Sequence, residues 1–216
     1  MTDEYITVKI SEHILVALTV FTASDDEVRE HIRHMMIEIG KEEVRIVASD
    51  GCILACYRQK MQETIPDNTE LPISAWIPIS AFFLMKEWSE TDVEIRVSLL
   101  SDGHVRKLMV DGEKRKWYGL SFDHDPLNYR KCIPESSSGE GANYSFPLVK
   151  RLRKAFRIFH KEEKSEYFFG PAILCNGEKA AFVDFRSDDF AAIIMPFMDQ
   201  YRTQAETMSW AKQPIN

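Results

Sequence analysis

The stretch Met35-Met36-Ile37-Glu38-Ile39-Gly40-Lys41-Glu42-Glu43-Val44-Arg45-Ile46-Val47-Ala48-Ser49-Asp50-Gly51-Cys52-Ile53-Leu54-Ala55-Cys56-Tyr57 decides the fold. Met35 to Ile39 and Val44 to Ala48 are compact apolar runs around a polar Gly40-Lys41-Glu42-Glu43 turn, which predicts a hairpin. Ser49-Asp50-Gly51 then predicts a second tight turn, because Asp hydrogen-bonds its own backbone and Gly admits the left-handed conformation. Cys52 to Tyr57 follows as a third strand.

Upstream, Tyr5 to Ile10 alternates with Ile6, Val8 and Ile10 on one face, as a half-buried strand does. Ser11 before Glu12 and His13 predicts a helix start, with the serine oxygen accepting an unpaired amide proton. Strand, helix and three strands make one unit. Downstream the order recurs: Ala75 to Ile79 is extended, and Pro78 confines it to a sheet edge or to its own end. Ser80 opens a helix through Trp88, and Val93 to Leu99, Val105 to Val110 and Lys116 to Phe122 are three strands separated by Ser101-Asp102-Gly103 and Asp111-Gly112. A third copy starts with Asn143 to Phe146 as a strand and Pro147 at a first helical position. Its helix carries Leu148, Leu152, Ala155, Phe156 and Phe159 on one stripe. Tyr167 to Cys175, Lys179 to Phe185 and Phe190 to Met195 are its strands, with Asn176-Gly177 a hairpin turn.

These units predict an α+β fold with helices packed on antiparallel sheets. Residues 1–134 form a first domain of two units, 135–142 a Ser/Gly-rich linker, 143–199 a shorter unit, and 200–216 a polar tail.

With 216 residues and 44% hydrophobic content the chain has enough apolar surface for a packed core. The longest apolar run, Ile14 to Val20 with Phe21 beyond it, is too short for a membrane span and follows an acidic start, so neither insertion nor secretion is expected. Cys52, Cys56, Cys132 and Cys175 lack zinc-ligand spacing and read as reduced thiols. No glycine-rich phosphate loop or dinucleotide fingerprint is present. His31 and His34 with Glu27 and Glu30 match no strong metal motif. Asp123-His124-Asp125 is interrupted by Pro126 and has no nucleophile fixed beside it, so it reads as a hydrogen-bonded loop. No catalytic residue, cofactor or metal is assigned.

The formal charge is -7, yet Lys150, Arg151, Arg153, Lys154, Arg157, Lys161 and Lys164 gather within one short segment, against Glu162 and Glu163 only. Attraction to a polyanion follows the local field more than the total charge. A helix buried along its apolar stripe would turn such cations toward successive backbone phosphates. A solvated face and a protein or lipid surface are the other readings of the same residues.

Particular strings carry a family resemblance. Ile14, Ala17 and Leu18, then Glu27-Val28-Arg29, Ile32, Met35-Met36-Ile37-Glu38, and Val44 through Gly51 with Leu54-Ala55 resemble a domain of the bacterial DNA polymerase III beta sliding clamp. Trp76-Ile77-Pro78, Tyr129-Arg130-Lys131-Cys132-Ile133-Pro134 and Ile194-Met195-Pro196 resemble later segments of the same family, in the same order. The chain departs from the pattern in having His34 where the family has glycine, and Cys52-Ile53 where it has His-Arg. It also has one unit fewer than paired domains require, and so resembles a shortened or divergent relative.

The resemblance implies helices lining a ring around duplex DNA, with sheets outside that continue between subunits. On that basis Lys150, Arg151, Arg153, Lys154, Arg157 and Lys161 are the expected DNA-backbone contacts, without sequence specificity. The expected partners are double-stranded DNA, a polymerase or other replication or repair protein, and a second copy or another clamp-like chain. The expected location is cytoplasmic and nucleoid-associated, with no membrane association. The alternative is a clamp-fold protein-interaction module that does not encircle DNA; an unrelated α+β enzyme stands behind both.

Overall fold

The structure, a computed structural model, describes residues 5–24, 27–65, 69–82, 91–99, 105–113, 116–121, 124–161 and 170–197. The first unit is β1 (Tyr5–Ser11), α1 (Glu12–Thr19), β2 (His34–Ile39), β3 (Glu43–Ser49) and β4 (Ile53–Lys60). The second has β5 (Ile73–Pro78), a 3-10 turn at Ile79–Phe82, β6 (Asp92–Leu99), β7 (Val105–Asp111) and β8 (Lys116–Gly119). The third has α2 (Phe146–Phe159), β9 (Ala172–Leu174), β10 (Ala181–Asp184) and β11 (Phe190–Ile194).

The strands form a four-stranded sheet, β1-β6-β7-β8, and a seven-stranded sheet, β5-β2-β3-β4-β11-β10-β9. The first two units exchange their leading strands. β1 pairs antiparallel with β6, from Tyr5 opposite Ser98 to Ser11 opposite Asp92, and β5 pairs antiparallel with β2 of the first unit. Each leading strand thereby covers an edge that local hairpins leave open, which satisfies backbone groups that burial would otherwise strand. β5 lies at a sheet edge with Pro78 as its last residue, where a missing donor breaks no central ladder.

Alternation in the sequence translates into burial. Ile6, Val8 and Ile10 of β1, Val93, Ile95 and Val97 of β6, and Leu108 and Val110 of β7 face one core with α1 and α2. Leu15 and Leu18 of α1 are fully buried, each contributing roughly 1.5–3 kcal/mol by its transfer from water. A second cluster lies on the opposite face of the seven-stranded sheet, where Met36, Val47, Leu54, Trp76 and Ile193 pack against Tyr129. That sheet is therefore covered on both sides, by helices and by the strap that leads from β8 toward α2.

Several local expectations change. Ser11 sits at the N-cap of α1 without a side-chain cap bond; its Oγ instead donates to Asp92 Oδ1 at 3.0 Å, across the β1–β6 pair. Residues 143–145 are not a strand, and α2 starts at Phe146 with Pro147 in its first turn. The strand expected over Tyr167 to Cys175 is limited to Ala172–Leu174 among the described residues. The helix beyond Phe82, the Ser101-Asp102-Gly103 turn, Phe122, Lys164 and the tail from 200 lie outside the described residues. The stretch read as a linker is tied to the β9–β10 hairpin: Gly139 N donates to Cys175 O (3.0 Å), Gly177 N to Glu140 O (3.0 Å) and Ser137 Oγ to Cys175 O (2.6 Å).

Candidate functional site

The cationic segment is α2 and the residues after it. Leu152, Ala155, Phe156 and Ile158 are buried, so the helix is held by one apolar stripe against α1 and the sheets. Phe156 lies 5.4 Å from Phe185 between ring centroids, and Phe185 stacks on Phe190 at 4.5 Å. This anchoring fixes which cations reach solvent.

Lys150, Arg153, Lys154 and Lys161 are exposed. The Lys150 ammonium stands 4.6 Å above the ring of Phe146, itself 67% exposed, a cation–π contact at the start of the helix. Arg157 is half-buried, and its Nε finds no acceptor among the described residues.

Arg151 turns the other way. Its Nε and Nη2 donate to Val20 O at 2.9 and 2.6 Å, its Nη2 also to Thr22 O at 2.9 Å, and its Nη1 pairs with Asp50. Carbonyls at a helix C-terminus lack intrahelical donors, and a guanidinium there satisfies them and opposes the negative end of the dipole. Asp50 in turn orders the β3–β4 turn, its Oδ1 accepting from Cys52 N (2.7 Å) and Ile53 N (2.8 Å), while Gly51 takes φ +90. Arg151 thus joins α2, the end of α1 and the turn after β3. Helix α1, Glu12-His13-Ile14-Leu15-Val16-Ala17-Leu18-Thr19, contains no Lys or Arg, so α2 alone carries the positive flank of this helix pair.

Distant segments meet in three further places. His31 and His124 have ring centroids 4.7 Å apart, edge to face, beside Trp76, whose Nε1 donates to His124 O at 3.1 Å. Burial, then the charges of His124 and Arg29, lower the His31 pKa from its ordinary value. The set His31, His34, Glu27 and Glu30 does not converge on one point. His34 Nδ1 lies 2.9 Å from Glu30 O, and Glu27 is paired with Arg29, whose hydrogen bonds hold that carboxylate at about 2. Among the described residues no group of three or more His, Cys, Asp or Glu is placed to hold a metal ion.

On the outer face of the seven-stranded sheet, Glu38 accepts from Tyr129 OH (3.0 Å) and Arg130 Nη2 (2.7 Å), and Arg45 Nη1 donates to Tyr129 OH (3.2 Å). These bonds pin the strap. Burial pushes the neighbouring Cys56 thiol up to about 11, which keeps it protonated and unreactive at neutral pH. Finally, Glu140, Asn143, Asn176, Lys179, Pro196 and Phe197 line an open trough of about 860 Å³. Phe197 N donates to Asn143 O at 2.7 Å there, and the Phe197 side chain is exposed. Neither the trough nor the histidine pair has a sequence signature, because each is assembled from segments far apart in the chain.

No family model matches the chain, and no curated protein matches it significantly. Solved structures do share its fold. A protein assigned as a DNA polymerase III beta subunit from Eubacterium rectale superposes with a TM-score of 0.63 at 11% identity, over 92% of this chain and 67% of its own. The DNA polymerase sliding clamp of Bacillus subtilis gives 0.59 at 12% identity, over 91% and 65%. The Pseudomonas aeruginosa sliding clamp, solved with a ligand, gives 0.56 at 17% identity, over 89% and 66%. The architecture is therefore that of the bacterial clamp fold, and the chain spans about two thirds of the length of these clamps. Among the described residues no helix is long and apolar enough to cross a membrane.

Proposed function

We propose that this chain is a nonenzymatic clamp-fold interaction module that holds a partner protein and does not by itself encircle DNA. The observation that carries this reading is the charge on the packed helix pair: α2 has a cationic flank and α1 has no Lys or Arg. Each phosphate contact adds to a sequence-independent electrostatic term, so a helix without Lys or Arg supplies none of that attraction to duplex DNA. The partner we propose is a polymerase or another replication or repair factor, met in the cytoplasm near the nucleoid. The units at 1–134 and 143–199 are its proposed folding divisions.

The exposed flank of Lys150, Arg153, Lys154 and Lys161, with Arg157 partly buried beside it, favours a second reading in which α2 touches duplex backbone without reading sequence. Arg151 adds little to that contact, because its donors are directed at Val20, Thr22 and Asp50. Fluorescence anisotropy with a labelled duplex across a salt series separates the two readings. The α2-contact reading expects weak, salt-dependent binding, with dissociation constants of about 10⁻⁴ to 10⁻⁶ M at physiological salt, abolished by Lys150→Glu/Arg153→Glu/Lys154→Glu; the module reading expects none above background in either protein. Tight binding that persists at high salt in the triple variant overturns it.

A further inference from the structure

Two histidines far apart in the chain stand ring to ring where the first unit meets the strap. His31 lies in a 3-10 turn, Glu30–Arg33, that leads into β2, and His124 lies where the strap leaves β8. Other contacts fix both backbones. Ile32, next to His31, is buried, and its carbonyl accepts from Ala23 N at 2.9 Å. His124 O accepts from Trp76 Nε1 at 3.1 Å, and Trp76 N donates to Ser121 Oγ at 3.1 Å, so one residue of β5 holds the start of the strap at two points.

The distance between the rings is that of two imidazoles sharing one metal ion. A metal–nitrogen bond of about 2.0–2.1 Å places the ion about 3.2 Å from each ring centre, and nitrogen–metal–nitrogen angles of about 90–110° then set the centres about 4.5–5.2 Å apart. The His31 and His124 centroids are 4.7 Å apart, with their planes at 81°. His124 is exposed and His31 half-buried, so the His124 ring turns at small cost and water completes a four-coordinate shell from the open side. Of the charged groups nearby, Glu27 and Arg29 are paired with each other, His34 Nδ1 lies at Glu30 O, and the exposed Asp125 carboxylate adds negative charge beside His124. The depressed pKa of His31 keeps its imidazole neutral at neutral pH, as a metal ligand must be.

We infer that His31 and His124 form a two-histidine site for zinc or another borderline divalent transition metal, which ties the turn before β2 to the strap. Imidazole nitrogens suit Zn²⁺, Cu²⁺ and Ni²⁺, whereas Mg²⁺ and Ca²⁺ take oxygen ligands. With two protein ligands among the described residues and water for the rest, the site is weaker than a structural zinc centre with four. Bound metal adds stability by mass action, because the two rings are held together only in the folded chain. The inference goes beyond the proposed function, because it rests on the histidine pair and not on the charge of the helices.

The test is calorimetric titration of the full chain with zinc chloride, in a Cys52→Ser/Cys132→Ser background that removes the exposed native thiols. One zinc should bind per chain. His31→Gln and His124→Gln should each weaken it by about tenfold or more, whereas His34→Gln should leave it unchanged. Zinc at about a hundred times its dissociation constant should raise the melting temperature by roughly 5–10 °C, and magnesium should not. Copper(II), bound in place of zinc, should give an electron paramagnetic resonance spectrum split by two ring nitrogens, and by one in either single variant; a merely structural histidine would not change that count. Equal zinc affinity in the parent and in His31→Gln/His124→Gln, or a copper spectrum without ring-nitrogen splitting, overturns the inference. Failure here leaves the DNA-binding test of the proposed function unaffected.

Discussion

Replacing Arg151 by Ala separates a cation that holds the fold from cations that face solvent. The substitution removes donors to Val20 O and Thr22 O and leaves Asp50 without its guanidinium, while Asp50 Oδ1 keeps its two backbone bonds. A hydrogen bond from a charged donor is worth about 1.5–3 kcal/mol, and the contributions at one guanidinium do not add. The Arg151 side chain is 31% exposed and that of Asp50 11%, so solvent screens part of the pair. The expected loss is about 2–4 kcal/mol. For a chain of this size that lowers the melting temperature by roughly 5–15 °C. Urea unfolding followed by far-UV circular dichroism should show a lower midpoint at unchanged slope, whereas Lys154→Ala, on the exposed flank, should stay within about 0.5 kcal/mol of wild type. A double-mutant cycle with Asp50→Asn should return a coupling of about 1 kcal/mol or more. If Arg151→Ala unfolds like Lys154→Ala, the argument that Arg151 caps α1 fails.

Other substitutions test the remaining contacts. Tyr129→Phe removes the hydroxyl between Glu38 and Arg45 and should lower stability by about 1–2 kcal/mol in the same urea assay; an unchanged midpoint would mean the strap is held by apolar packing alone. Gly119→Ala puts a methyl group into the Trp117 ring and should cost about 1–3 kcal/mol with a red shift in tryptophan emission, and an unshifted spectrum at full stability would count against the described ring position. His31 is held below its ordinary pKa of 6.5, so the unfolded chain takes up that proton first as pH falls. The stability it contributes is complete above pH 6.5 and is lost as pH drops through the folded value. His31→Gln should therefore flatten the urea midpoint against pH just below 6.5, and a wild-type slope in the variant would contradict this. The Glu27 carboxylate, held at about 2 against an ordinary 4.5, acts in a separate window at lower pH.

Much of the fold was legible in the sequence because its signals are local. Ile6, Val8 and Ile10 alternate and are buried; Gly40 to Glu43, Asp50-Gly51 and Asn176-Gly177 turn where such residues turn. The exchange of β1 and β5 between units and the β4–β11 junction were not legible. They depend on which edges stay open after hairpins form, and no short window of residues encodes that. Within α2 the cation run was plain, but the inward turn of Arg151 was missed although a signal existed. Position 151 lies three residues after Leu148 and four before Ala155, so it falls on the buried stripe, where a charge must find partners. Ser11 misled for a related reason: an extended neighbour, Asp92, competes for its hydroxyl, and that neighbour is set by tertiary pairing.

The central claim is that the chain carries the clamp fold without encircling DNA, and topology tests it most directly. The purified chain is incubated with a closed circular duplex and with the same duplex linearised, with a purified clamp-loading ATPase and ATP and no other protein, and retention is measured after a high-salt wash. The account predicts that both DNAs lose the protein equally; retention on the circle that is released by linearisation would contradict it.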